Sequence, residues 1–216
     1  MSLKDQFELL ATYNQWMNTK VYEAAGHLSA TDLARNRGAF FGSILGTLNH
    51  ILVADTIWLK RFATHPSCGI SLREVVALPD PTSLDQIVFD DIGQLAERRA
   101  WLDQRIVDWI AEMPADEPDS ALSYRNVKGV AASKSYSSLV LHFFNHQTHH
   151  RGQASTLLSQ AGEDIGVTDL LVQIPGESSG ATTPIKATPG APLSPHVFSD
   201  GTLEVSLPFE PKLVGQ

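Results

Sequence analysis

Apolar residues return every three or four positions along four long stretches of the chain. Leu3, Phe7, Leu10, Asn14, Met17 and Val21 do so between Leu3 and Ala25, and that spacing predicts a helix with one buried face. A break follows at Gly26–Ser29. Ser43 to Ala63 carries Ile44, Leu48, Ile51, Leu52, Leu59 and Phe62 among other apolar residues on nearly every side. It predicts a helix covered on most faces. Leu84, Ile87, Ile92, Leu95, Leu102, Ile106 and Ile110 predict a third helix over Ser83–Met113, with Thr82 or Ser83 as its cap and Pro114 as its stop. Ser135 to Ala161 predicts the fourth, closed by Gly162.

The stretches between them are punctuated differently. Ala121–Ala132 alternates and contains a Lys-Gly turn, which predicts a short hairpin or extended loop before the last helix. From Pro175 the chain is rich in Pro, Gly, Ser and Thr, and Thr202–Leu207 could add one strand. Four long helices and one minor hairpin predict an all-α four-helix bundle over residues 1–174. The extended C-terminal tail, residues 175–216, is expected to lie against the bundle or a partner subunit.

Charge narrows the partners. With 216 residues and a formal net charge of -8, and no Lys/Arg cluster, the chain is not built to grip phosphate backbones, so no nucleic acid is expected. No apolar run approaches the roughly 18 residues that span a bilayer, so no membrane is expected either. MSLKDQFELL lacks the basic start and apolar core of a secretory signal, and a cytoplasmic protein is expected. The single cysteine, Cys68, rules out an intrachain disulfide and reads as an ordinary loop thiol.

The densest chemistry is HFFNHQTHHRGQ, His142 to Gln153, which holds four of the eight histidines. With His146 at zero on a helical wheel of about 100° per residue, the apolar stripe centres near 50°. His146 and His150 fall inside that stripe, and His142 and His149 fall on its flank. Two imidazoles among Leu and Phe are costly unless each ring nitrogen has a partner. Four residues apart, they sit side by side and could hold one transition-metal ion. On spacing alone, metal ligands and hydrogen-bonded core imidazoles remain equally open readings. A metal needs a third ligand, and His50, mid-way along the most apolar helix, is the best candidate. His27, His65 and His196 fall at breaks or in the tail and read as surface residues. Arg151 falls near 140°, outside the stripe, as an ion-pair or surface residue. Gln153, Asn14 and Asn49 are candidates to hold the rings' outer nitrogens, although Asn14 could equally make a structural bond between helices.

These residues resemble a known family. YNQW at Tyr13–Trp16, LNHILVAD at Leu48–Asp55, YRNVKG at Tyr124–Gly129 and above all HFFNHQTHHRGQ are similar to the DinB-like superfamily of metal-dependent proteins, in the right order across residues 1 to 174. The resemblance implies an up-down-down-up bundle, a homodimer, and a three-histidine divalent-metal site. Matched position by position, the ligands are His50, His146 and His150, the set that burial also selects. Characterised relatives include thiol-dependent isomerases and S-transferases that use mycothiol or bacillithiol. A related iron-oxygenase pattern, His-x-x-x-His-x-Glu, is not met, because Gly152 stands where the Glu would be.

Three neutral imidazoles suit Zn, Ni or Fe and leave a coordination position open. The expected function is therefore a metal-dependent S-transferase, isomerase or hydrolase acting on a small electrophile, with a low-molecular-weight thiol as a second cofactor. The catalytic base is not legible. Asp55, about 140° round the helix from His50, is a poor candidate. The competing expectation is a non-catalytic, stress-associated dimer in which the metal only staples the helices.

Overall fold

The computed structural model describes residues 2–66, 68–114, 120–126 and 128–176. Within them the fold is mostly helical, with one small sheet. The elements run α1 (Leu3–Gly26), α2 (Ala30–Ala34), α3 (Ile44–Phe62), α4 (Arg73–Val76), α5 (Ile92–Glu112), β1 (Ala121–Arg125), β2 (Ala131–Ser135) and α6 (Tyr136–Gln160), then a 3-10 turn at Leu170–Gln173. Each long helix starts on a side-chain cap, which answers backbone N–H groups that have no partner inside the helix. Ser2 and Asp5 form a reciprocal box. Ser43 accepts from Gly46 N, Asp91 from Gln94 N and Ser135 from Ser138 N. Past α6 the chain reverses at Gly162, whose φ of 95° suits glycine.

Helix α1 packs along α5 and α6, and α3 packs along α6. An aromatic cluster ties these layers together: Phe62 stacks on Trp109 at 4.8 Å, and Tyr136 and Phe143 meet Phe62 edge-on. The indole of Trp109 donates to Tyr136 Oη at 3.1 Å, so this buried ring keeps a polar partner. β1 and β2 form an antiparallel hairpin from Ala121↔Ser135 to Arg125↔Ala131, and Tyr136 N donates to Ser120 O at the root of α6. No helix among the described residues is long and apolar enough to cross a membrane.

One predicted element is corrected. The third long helix begins at Ile92, not Ser83, and its cap is Asp91. Residues 83–91 are an irregular strap, with a turn at Leu84–Asp85, bonded to α3, and the competing partners are visible. Asn49 Oδ1 accepts from Val88 N and Phe89 N, Asn49 Nδ2 donates to Phe89 O, and Leu84 O takes a bond from His50. Backbone groups bound to α3 side chains are lost to a helical ladder. The predicted tail, 175–216, lies outside the described residues apart from Pro175 and Gly176.

Candidate metal centre

The site is built where α3 and α6 lie side by side. His146 and His150 stand one turn apart on α6, with ring centroids 4.4 Å apart. His50 reaches across from α3, 5.3 Å from His146 and 4.5 Å from His150. One nitrogen from each ring lies within 4.8 Å of the other two. His50 and His150 are 4% and 9% exposed. Phe41, in the loop before α3, stacks flat on His50 at 3.7 Å and meets His150 edge-on.

The outer nitrogens fix which atoms face the common point. His50 Nδ1 lies 2.8 Å from Leu84 O. A carbonyl only accepts, so Nδ1 carries the proton and Nε2 keeps its lone pair. His150 Nδ1 lies 2.8 Å from Gln153 Oε1, which imposes the same tautomer. His50 Nε2 is buried and has no hydrogen-bond partner among the described residues, an arrangement that costs free energy unless something else meets that atom. Burial pushes the pKa of all three rings down, that of His146 to about 3. At neutral pH the cluster therefore presents three neutral imidazoles, the form that ligates a metal.

Comparison with known proteins places the chain in a family. Residues 1–181 match the DinB family. The chain belongs to the DinB family. It is also similar to Protein DinB of Bacillus subtilis (strain 168), at 24% identity over 160 residues, or 74% of this chain and 88% of that protein. No solved structure matches.

Around this DinB-family triad the supporting residues sort themselves out. Gln153 holds His150, and its amide nitrogen reaches His149 Nε2 at 3.3 Å. Asn49 touches neither α6 ring; it pins the strap that delivers Leu84 O to His50. Asn14 plays no part at the rings. Its amide donates to Asp103 Oδ1 at 3.0 Å and it accepts from Arg151, so it serves the structural alternative. His142 and His149 are exposed, and His142 meets Trp58 edge-on.

Two sequence placements are overturned. Arg151 is buried, with its guanidinium against Asn14, Gln147 and Thr148. The wheel assumed a single stripe, whereas α6 is covered by α1 on one side and α3 on another. His65 is also buried, stacked on Tyr136 at 4.0 Å with Nε2 3.0 Å from Ser120 Oγ. His27, as expected, is exposed, beside Glu163. Cys68 is half-buried and its thiol is pushed up to about 11 by burial, which suits an inert loop thiol.

Two features of the site gave no warning in the sequence, Phe41 and the Leu84 strap, and the place of the Trp58 and Tyr124 rings beside the histidines appears only in the fold. The rings line a cleft of about 220 Å³ that opens on His50 and His146, with Ala54 and Arg61 as further walls. Asp55 is turned away, ion-paired with Arg99 at 2.6 Å.

Proposed function

We propose that His50, His146 and His150 bind one divalent metal ion, Zn, Ni or Fe, and that the protein is a metal-dependent enzyme acting on a small electrophile. The observation that carries this reading is the buried, unpartnered Nε2 of His50, pointed by its Leu84 bond toward two neutral imidazoles. A core histidine kept only for packing would be expected to satisfy both nitrogens. A three-imidazole ion acidifies a water or a thiol bound in its open position.

The chain's own residues prepare that chemistry. Leu84 O and Gln153 Oε1 hold two of the rings in the ligating tautomer. Phe41 and the α3–α6 interface keep solvent off one side, and the Trp58–Tyr124 cleft leaves the other side open. A fourth protein ligand would favour the stapling alternative, but His149 is exposed and held by Gln153, and His142 is engaged by Trp58. The open cleft favours catalysis. A low-molecular-weight thiol as nucleophile, transferase or isomerase chemistry, an up-down-down-up bundle and a cytoplasmic homodimer complete the reading; they follow from family resemblance.

Elemental analysis tests the core of it. Purified protein is expected to carry about one divalent ion per chain, and His50→Ala or His146→Ala to carry close to none. Equal, near-zero metal in all three proteins overturns the assignment.

A further inference from the structure

A second, larger cleft of about 510 Å³ adjoins the histidine cleft and shares Ile57, Arg61, Leu84 and Tyr124 with it. Its walls are unusually cationic for a chain of net charge -8. Lys60 is neutralised there by Asp80 at 2.5 Å. Arg61 and Arg125 have no carboxylate partner among the described residues. Arg61 is also held in place: its guanidinium lies 4.7 Å over the Trp58 ring and 5.0 Å over Tyr124, and one nitrogen donates to Arg125 O at 3.0 Å. Arg125 donates in turn to Gly129 O at 2.8 Å. The bond to Arg125 O occupies one of Arg61's five donors, in a part of the site already partly withdrawn from water.

A guanidinium seated over two adjoining aromatic rings, partly buried and lacking a carboxylate partner among the described residues, is a pre-organised fork for a planar anion. The alternative use of such a group, as a stitch between α3 and the hairpin, needs only the single bond to Arg125 O. No glycine lines the cleft among the described residues, and they offer no backbone cradle of the kind typical of phosphate sites. We propose that Arg61, assisted by Arg125, binds a carboxylate on the substrate or co-substrate, whose other end reaches the histidine cleft. Where the second end points rests on the metal reading above; the carboxylate contact does not.

The test is arranged to separate the two. Protein stripped of metal and freed of chelator is titrated with succinate and with neutral butane-1,4-diol. The Trp58 indole N–H, identified in the nuclear magnetic resonance spectrum by its loss in Trp58→Phe, reports binding beneath Arg61. Succinate is expected to shift that signal saturably and the diol to leave it unmoved. Arg61→Gln is expected to weaken succinate at least about ten-fold and Arg125→Gln by less, with Arg61→Lys intermediate because a point charge replaces a fork. Equal response to acid and diol, or unchanged succinate binding in both Gln variants, overturns the proposal. Should Arg61→Gln fail to fold, the acid-against-diol contrast in wild type and in Arg125→Gln, whose side chain is exposed, still decides it. In a second arm the cobalt(II)-loaded protein is offered 3-mercaptopropionate, 2-mercaptoethanol and cysteamine. Tightest binding by the carboxylate, through a sulfur-to-cobalt absorption band that weakens in Arg61→Gln, links the two clefts. Absence of any cobalt band, with succinate binding intact, counts against the metal reading alone; tightest binding by cysteamine counts against the carboxylate.

Discussion

The interior holds two clusters of polar side chains, and they are built on opposite principles. Between α1, α3, α5 and α6, charge answers charge. Arg99 pairs with Asp55 at 2.6 Å and Asp103 at 2.8 Å, Asn18 donates to Asp103 at 2.9 Å, and Arg151 meets Asn14 and Gln147. Between α3 and α6, three uncharged rings gather; His50 and His150 satisfy their outer nitrogens, and one nitrogen of each ring lies within 4.8 Å of the other two. The first cluster balances its charges within the protein, although Asn18 Oδ1, Asp55 Oδ1, Arg99 Nε and Gln147 Nε2 have no hydrogen-bond partner among the described residues. The second has no charge to balance, and its equally unpartnered His50 Nε2 lies where we propose a metal ion. Burial of polar groups is common to both; what separates them is whether ion pairs or converging lone pairs organise the group.

Removing a member of the closed cluster should therefore do the most damage. Arg99→Ala removes the guanidinium that pairs with both Asp55 and Asp103, and should cost about 3–5 kcal/mol in urea unfolding. If Arg99→Ala unfolds like wild type, the pairing is not what holds α5 to α3 and α1. The open cluster should respond in the opposite way, with metal affinity moving and metal-free stability barely changing. Gln153→Leu frees the outer nitrogen of His150 and is expected to lower metal affinity about 10–100-fold. Competition with a chromophoric chelator reads that change; an unaltered affinity would mean that Gln153 serves His149 instead.

Acid sharpens the contrast. The folded imidazoles titrate below 6.5, His146 at about 3, while the unfolded chain takes up protons from pH 6.5 downward. Below that pH the unfolded state binds more protons, so these rings make the metal-free protein lose stability as pH falls from 6.5 toward 3. Asp55 works in the opposite sense. Burial lifts its carboxyl to about 6, the folded state binds that proton first, and its contribution is lost as pH rises from about 4 to 6. The informative quantity is thus a difference: thermal stability of His146→Phe relative to wild type should rise as pH falls from 6.5 to 4. A flat difference would place His146 in water. The smallest effect is expected at Gly152. Nothing lies within 4 Å of a Cβ built there, so no helix contact requires glycine. Gly152→Ala should stabilise α6 by up to about 1 kcal/mol, and a fall in melting temperature would indicate a partner on that face.

Much of this site could be read before any coordinates. His146 and His150 share a face by their four-residue spacing, and His50 stands out as the one imidazole in the most apolar helix. The closed cluster left a signal too: Asn14 and Asn18 on α1, and Arg99 and Asp103 on α5, sit four apart on apolar stripes, where a polar group needs a partner. Only Asn14 was singled out. The strap was illegible for a different reason. Leu84, Ile87 and Ile92 fit helical spacing, and what overrides it are bonds from Asn49 and His50, more than thirty residues away. Arg151 was misplaced because a wheel has one stripe, whereas a helix with two neighbours has two. Local pattern reports which residues leave water; it is silent on which neighbours receive them.

The flat ring of Phe41 against His50 has a stereochemical corollary. With an aromatic plate closing one side and the Trp58–Tyr124 cleft opening the other, an incoming molecule has a single direction of approach. Under the catalytic reading we propose, a reactant with two non-equivalent faces would offer the same one each time, and a new tetrahedral carbon would form with one hand.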